Sequence, residues 1–148
     1  KGNAYGHGIE EYVPLAEAEG VDHFSVYSAD EAFRVFEVKK ANTEIMIIGS
    51  GNIVHNLRLA KFGSADTSPY DWASEFDAKV AELILSRSHE KLIDYKQFGE
   101  AAKLSVPTPE HYLPLLYTLA LQEKSEEVLF FNEGIDFGSG GMRSLIVS

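Results

Sequence analysis

The chain has no cysteine among its 148 residues. That excludes disulfides and thiolate metal sites, and it leaves His, Asp and Glu as the metal ligands available. No apolar run approaches the roughly 20 residues needed to span a bilayer, so no membrane partner is expected. No basic start followed by an apolar stretch is visible, so no secretory leader is expected either. These absences fit a cytoplasmic protein. Basic side chains are also few, 13 Lys and Arg against 23 Asp and Glu, for a formal net charge of −10. Phosphate backbones are bound by clustered Lys and Arg, so no nucleic-acid partner is expected. The acidity does not divide the chain: residues 1–49 carry 4 basic and 9 acidic side chains, and residues 50–148 carry 9 and 14.

What is present is a globular composition, 45% hydrophobic and 24% charged, with enough length for an ordinary domain with a real core. The first third alternates helix and strand. Residues 9–19 are predicted helical, with Ile9, Val13 and Ala16 on one side, Glu10, Glu11 and Glu17 outside, and Gly20 as the stop. Val21–Tyr27 is a strand candidate. Ser28 and Glu31 form a capping-box pair that opens a helix running to about Lys40. Glu44–Ile48 is continuous and largely β-branched, as a buried parallel strand should be. After Gly49, residues 52–62 are predicted helical. Ser68, Pro69 and Asp71 supply an N-cap, an N1 proline and a first-turn acid for a helix that places Trp72, Phe76, Val80, Leu83 and Ile84 on one face. A shorter helix is expected over residues 90–98, and another after Thr108 and Pro109, kinked or delayed by Pro114. Val128–Phe131 and Met142–Val147 are predicted as an antiparallel pair. The fold class expected is α/β, with a partly parallel central sheet flanked by helices and a C-terminal antiparallel strand pair.

The sharpest motif of the first third is Lys1-Gly2-Asn3-Ala4-Tyr5-Gly6-His7-Gly8. A chain that opens inside its own motif is expected to have been cut there. A lysine at a strand end facing a cavity can form a Schiff base with pyridoxal phosphate, and glycines let the backbone approach a ligand closely. On residue types alone, the favoured reading is Lys1 as a solvated terminal residue and the glycines as a turn. In the longer part, Gly49-Ser50-Gly51-Asn52-Ile53-Val54-His55 places a histidine after a glycine turn at a strand end, where α/β folds keep catalytic groups. Val106-Pro107-Thr108-Pro109-Glu110-His111 places a second histidine in the first turn of a helix. Two histidines 56 positions apart do not define a metal site by spacing, and each also reads as a hydrogen-bonded or surface histidine. His89 is expected at the surface.

As a whole octamer followed by βαβ wiring, residues 1–49 resemble alanine racemase, departing at Gly2 from that family's usual alanine. The resemblance implies Lys1 as the lysine that binds pyridoxal phosphate, Tyr5 as a phosphate contact, and alanine as substrate. His7 is assigned no catalytic role. From about Ile48 to Ser148, the segments GSGNIVHNLR, PYDWASEFD, SVPTPEHYLPLLY and FFNEGIDFGSGGMRSLIV resemble the C-terminal part of DOPA-type extradiol dioxygenases, which are class III ring-cleaving enzymes using a non-haem divalent metal. That resemblance implies His55 and His111 as metal ligands for Fe(II) or zinc, with His55 also a candidate acid–base catalyst toward a catechol-type substrate. Arg143 is a weaker candidate for orienting a carboxylate, against a plain surface role. The organisation expected is a racemase-like fragment over 1–49 and a dioxygenase-like fragment over 50–148, or one merged α/β unit whose central sheet takes strands from both. With neither reaction centre complete, the chain is expected to be inactive alone. The alternatives are a racemase fragment or a recombined or designed chain without catalysis, and oligomerisation is left open.

Overall fold

In a computed structural model, which describes residues 2–26 and 28–148, the chain divides into two compact units, Lys1–Gly49 and Ser50–Ser148. The architecture is mixed α/β, with a small parallel sheet and antiparallel strand pairs toward the C-terminus. No helix among the described residues is long and apolar enough to cross a membrane.

The first unit opens with a left-handed turn, α1 (Gly2–Tyr5), in which Asn3, Ala4 and Tyr5 all have positive φ. Left-handed backbone costs a non-glycine residue roughly 1–2 kcal/mol, so something must hold it. Asn3 does: its carboxamide oxygen accepts from the Ile9 amide at 3.2 Å and from Arg34 Nη2 at 2.7 Å, while its own amide donates to Glu31. Helix α2 (Ile9–Ala18) follows, then β1 (His23–Val26), α3 (Ala29–Val38) and β2 (Glu44–Ile47). Strands β1 and β2 pair in parallel, with His23 opposite Glu44 and Val26 opposite Ile47. Ser28 caps α3 by accepting from the Glu31 amide at 3.3 Å, as the capping box predicts. The core of this unit is small, with Ile9, Val13, Val26 and Val35 buried. Leu15, Phe33 and Phe36 are each about two-thirds exposed. Two expectations fail here. The strand over 44–48 is half-exposed, Met46 at 53%, because among the described residues only β1 pairs with it. Glu17 is buried rather than outside, because its carboxylate closes the end of the unit by accepting from the Thr43 hydroxyl and the Lys40 amide. Those two bonds, the Thr43 hydroxyl first, hold its carboxyl below the usual carboxylate range.

The second unit is built on α4 (Asp71–Leu85), whose Phe76, Val80, Leu83 and Ile84 are buried at the predicted spacings of three and four. Around it lie α5 (His89–Ile93), a 3-10 turn (Tyr95–Phe98), α6 (Gly99–Ser105) and α7 (Leu113–Ala120). Tyr112 is fully buried against Phe76 and Tyr95, and its hydroxyl donates to the Leu92 carbonyl at 3.1 Å. Pro114 sits in the first turn of α7, the delay its position predicts. Strands β3 (Val128–Phe131) and β6 (Ser144–Val147) pair antiparallel, and β4 (Ile135–Asp136) with β5 (Gly140–Gly141) forms a small hairpin between them.

Several expectations are corrected in this unit. Among the described residues every sheet has two strands, and each draws both from one side of Gly49, so the shared central sheet is not formed. Residues 52–62 are not helical. Ile53, Val54, His55 and Asn56 are buried consecutively, and a helix buries a stripe rather than four neighbours in a row. Helix α4 starts at Asp71, so Ser68 and Pro69 precede it, and Ser68 instead closes a local turn with Asp66. The helix predicted over 90–98 breaks into α5 and the 3-10 turn. His89 is half-buried, with Nε2 enclosed and without a partner among the described residues.

Candidate functional site

The segment 51–56 has irregular backbone, so its amides and carbonyls need partners from elsewhere. They find them on three other stretches of the second unit. The Asn52 amide donates to the His111 carbonyl at 2.8 Å, the His55 amide to the Ser105 carbonyl at 2.9 Å, and Gly141 donates to the Val54 carbonyl at 2.8 Å. The Asn52 carboxamide adds a bond to the Gly141 carbonyl at 2.6 Å, and a short bridge pairs His55 with Gly140. His55 is thereby buried, 8% exposed, between the end of α6, the turn before α7 and the β4–β5 hairpin.

His111 lies in the turn closed by the Tyr112 and Leu113 amides on the Pro109 carbonyl. Its neighbour Tyr112 anchors that turn in the core, while the His111 side chain stays exposed. The two imidazoles meet with ring centroids 5.1 Å apart, tilted by 46°. Gly51 makes the approach feasible: a Cβ there would lie 2.1 Å from the His111 carbonyl oxygen.

Both nitrogens of His55 face main-chain carbonyls, Nδ1 at 3.1 Å from Asn52 and Nε2 at 2.8 Å from Thr108. A neutral imidazole has one N–H, so it can donate to only one of the two. Beside the pair, Glu110 accepts from the Thr108 hydroxyl. That bond first, then the local main chain, with His111 and His55 nearby, keeps its carboxyl below the usual carboxylate range.

The other sequence candidates are placed differently. Lys1 lies outside the described residues. Tyr5 is 75% exposed on the left-handed turn. Arg143 is neither a surface residue nor free to orient a ligand. Its side chain, 10% exposed, forms a fork with Asp77, bonds Glu133 and lies over the Phe130 ring. Asp77 is buried on α4, and the arginine serves as its counter-ion. Sequence reading missed Asn52, Asn56 and Ser139. No local pattern marks them: residues 52–62 read as a helix, and only the irregular, buried backbone of the fold gives these side chains their partners.

A divalent metal fits this set of residues poorly. Catalytic zinc and non-haem iron sites take about three protein ligands, whereas no group of three or more His, Asp and Glu suited to a metal occurs among the described residues. His55 and His111 are two donors, and a further one must come from elsewhere.

Comparison with known proteins divides along the chain. The family described as alanine racemase, N-terminal domain, matches residues 1–67. Alanine racemase 1 of Caldanaerobacter subterraneus is 45% identical over 49 residues, covering 33% of this chain and 12% of that protein. The 4,5-DOPA dioxygenase extradiol of Escherichia coli K12 is 45% identical over 104 residues, 68% of this chain and 38% of its own length. The protein of the same name from Portulaca grandiflora is 32% identical over 108 residues, with coverages of 68% and 36%. A crystal structure of an uncharacterized protein from Escherichia coli K12 superposes with a TM-score of 0.61 at 36% identity, covering 76% of this chain and 46% of that one. The chain thus spans under two-fifths of the dioxygenase relatives. It carries a mixed resemblance, alanine racemase-like at the amino end and extradiol dioxygenase-like over the rest. The racemase match continues past Gly49 to Thr67, into backbone that packs with the second unit.

Proposed function

We propose that residues 50–148 are the C-terminal portion of a class III extradiol ring-cleaving site for a catechol or DOPA-like substrate. The observation that carries this is the meeting of His55 and His111 rings, 5.1 Å between centroids, from segments far apart in sequence. His55 is the proton-handling group. Once the Thr108 carbonyl is displaced from Nε2, the Asn52 carbonyl, three residues back, remains to hold the ring proton on Nδ1, which leaves the Nε2 lone pair as base. The Thr108 carbonyl facing Nε2 lies on the exposed stretch 107–110, so an incoming catechol hydroxyl replaces it and gives its proton to Nε2. Geometry of this kind contributes roughly 10²–10⁴-fold to a rate. His111 is exposed beside it, and in the substrate-free chain His111 and His55 Nε2 are the two imidazole donors that face a metal.

With two donors instead of about three, the chain alone binds Fe(II) or zinc weakly and does not turn over. Residues 1–49 are a fused racemase-like fragment in which Lys1 and Tyr5 correspond to the pyridoxal phosphate lysine and a phosphate contact. Its reaction needs parts this chain does not bring together. The absence of cysteine supports a cytoplasmic setting, and the negative charge supports a small-molecule rather than a nucleic-acid ligand.

The test is a titration of the full chain with Fe(II) and with Zn(II), alongside an absorbance assay for ring-opened DOPA. Weak metal binding that falls further in both His55→Ala and His111→Ala, without ring-opened product, is the expected outcome. Metal binding unchanged in both variants overturns the reading.

A further inference from the structure

Asn56, next to His55, is nine-tenths buried and grips both walls of the crevice that holds the imidazole. Its carboxamide nitrogen donates to the Leu104 carbonyl at 2.7 Å, one residue before the Ser105 carbonyl that accepts the His55 amide. Its own carbonyl accepts from the hydroxyl of Ser139 at 2.9 Å, a fully buried residue adjoining the Gly140 that bridges to His55. The orientation of the carboxamide is dictated by chemistry, since only its NH₂ can face a carbonyl. Its Oδ1 is then enclosed without a partner among the described residues. A buried polar group left half-satisfied is a poor choice for packing alone. Residues that break a local rule in this way concentrate where the structure must hold a functional group.

We infer that Asn56, with Ser139 behind it, is a positioning residue for His55. It ties the end of α6 to the β4–β5 hairpin across a segment with no secondary structure of its own, and so fixes the imidazole against the Asn52 and Thr108 carbonyls. This role presupposes the dioxygenase-like reading in making His55 the proton-handling group. Asn56 itself touches no reacting atom.

The test uses the metal-free full chain and the imidazole ¹⁵N and N–H signals of His55, assigned by their loss in His55→Gln. A ring N–H of the buried His55 held on a main-chain carbonyl exchanges slowly enough to be seen. Asn56→Ala is expected to abolish that signal and average the two ring ¹⁵N shifts, while near-ultraviolet circular dichroism and Trp72 emission stay native-like. If Asn56→Ala does not fold, Ser139→Ala decides, with broadening or loss of the same signal expected. No protected ring signal in the unsubstituted chain overturns the inference. So does an unchanged signal in the folded variant. The ring signal is read without metal, so it decides the positioning role whether or not the metal titration upholds the dioxygenase-like reading.

Discussion

Gly51→Ala should separate the two histidines. A Cβ built at Gly51 meets the His111 carbonyl oxygen at 2.1 Å, the His111 carbonyl carbon at 3.0 Å and Pro114 Cγ at 3.2 Å. Non-bonded heavy atoms settle at about 3.5–4.0 Å, so one backbone must retreat by roughly 1 Å or more. Neither can do so freely. The Asn52 amide is bonded to that same carbonyl at 2.8 Å, and Tyr112, the next residue, is locked in the core. Overpacking of this kind costs about 1–3 kcal/mol, and loss of the Asn52–His111 hydrogen bond adds about 0.5–1.5 kcal/mol. A destabilisation of roughly 1.5–4.5 kcal/mol follows for the second unit. Trp72 is the chain's single tryptophan and lies on α4 against Tyr70, so urea unfolding followed by its emission reads that unit. Displacing the His111 backbone moves its ring away from His55, so the ring-to-ring nuclear Overhauser effect between them should vanish in parallel. A loss under about 0.5 kcal/mol with that effect intact would refute the reasoning, since surface-like substitutions fall in that range.

Two further outcomes are expected. Arg143→Met leaves Asp77 buried without its counter-ion, and removing one member of such a pair costs about 3–5 kcal/mol, whereas replacing both Asp77 and Arg143 by apolar residues of similar volume should cost much less; Trp72 emission in urea measures both. In the first unit, the bidentate Arg34 fork, its hydrogen bonds first, lowers the Glu10 carboxyl from 4.5 to about 2. A depressed native value stabilises above the unfolded value and is lost as pH falls, so this contribution is complete above pH 4.5 and disappears toward pH 2. Carboxyl ¹³C titration should show Glu10 returning toward 4.5 in Arg34→Ala.

Where periodicity and local chemistry decide structure, the chain was legible. The α4 stripe follows from Phe76, Val80, Leu83 and Ile84, the start of α3 from Ser28 and Glu31, and the C-terminal pair from two runs of apolar and aromatic residues. Where long-range partners decide, it was not. Residues 52–62 read as a helix, but carbonyls and amides at Ser105, His111 and Gly141 claim the backbone first, and no local pattern announces them. Ser68 and Pro69 had the chemistry of a helix start, yet Asp66 captures the Ser68 amide and hydroxyl, and the helix waits until Asp71. Arg143 looked available for a ligand because sequence does not reveal that Asp77, 66 residues earlier, is buried and needs it. Of the site itself, His55 and His111 could be named but not brought together: spacing says nothing about two residues joined only by tertiary packing. Asn56 and Ser139, which hold the crevice, carry no signature at all.

X-ray absorption of the zinc-loaded full chain, with histidine ligands counted from the imidazole scattering, addresses the main point: this chain brings two imidazoles to a site that needs more. Two histidines with the remaining positions filled by water, reduced to one in either His55→Ala or His111→Ala, is the result expected. Three or more protein ligands around the zinc, unaffected by those substitutions, would contradict it.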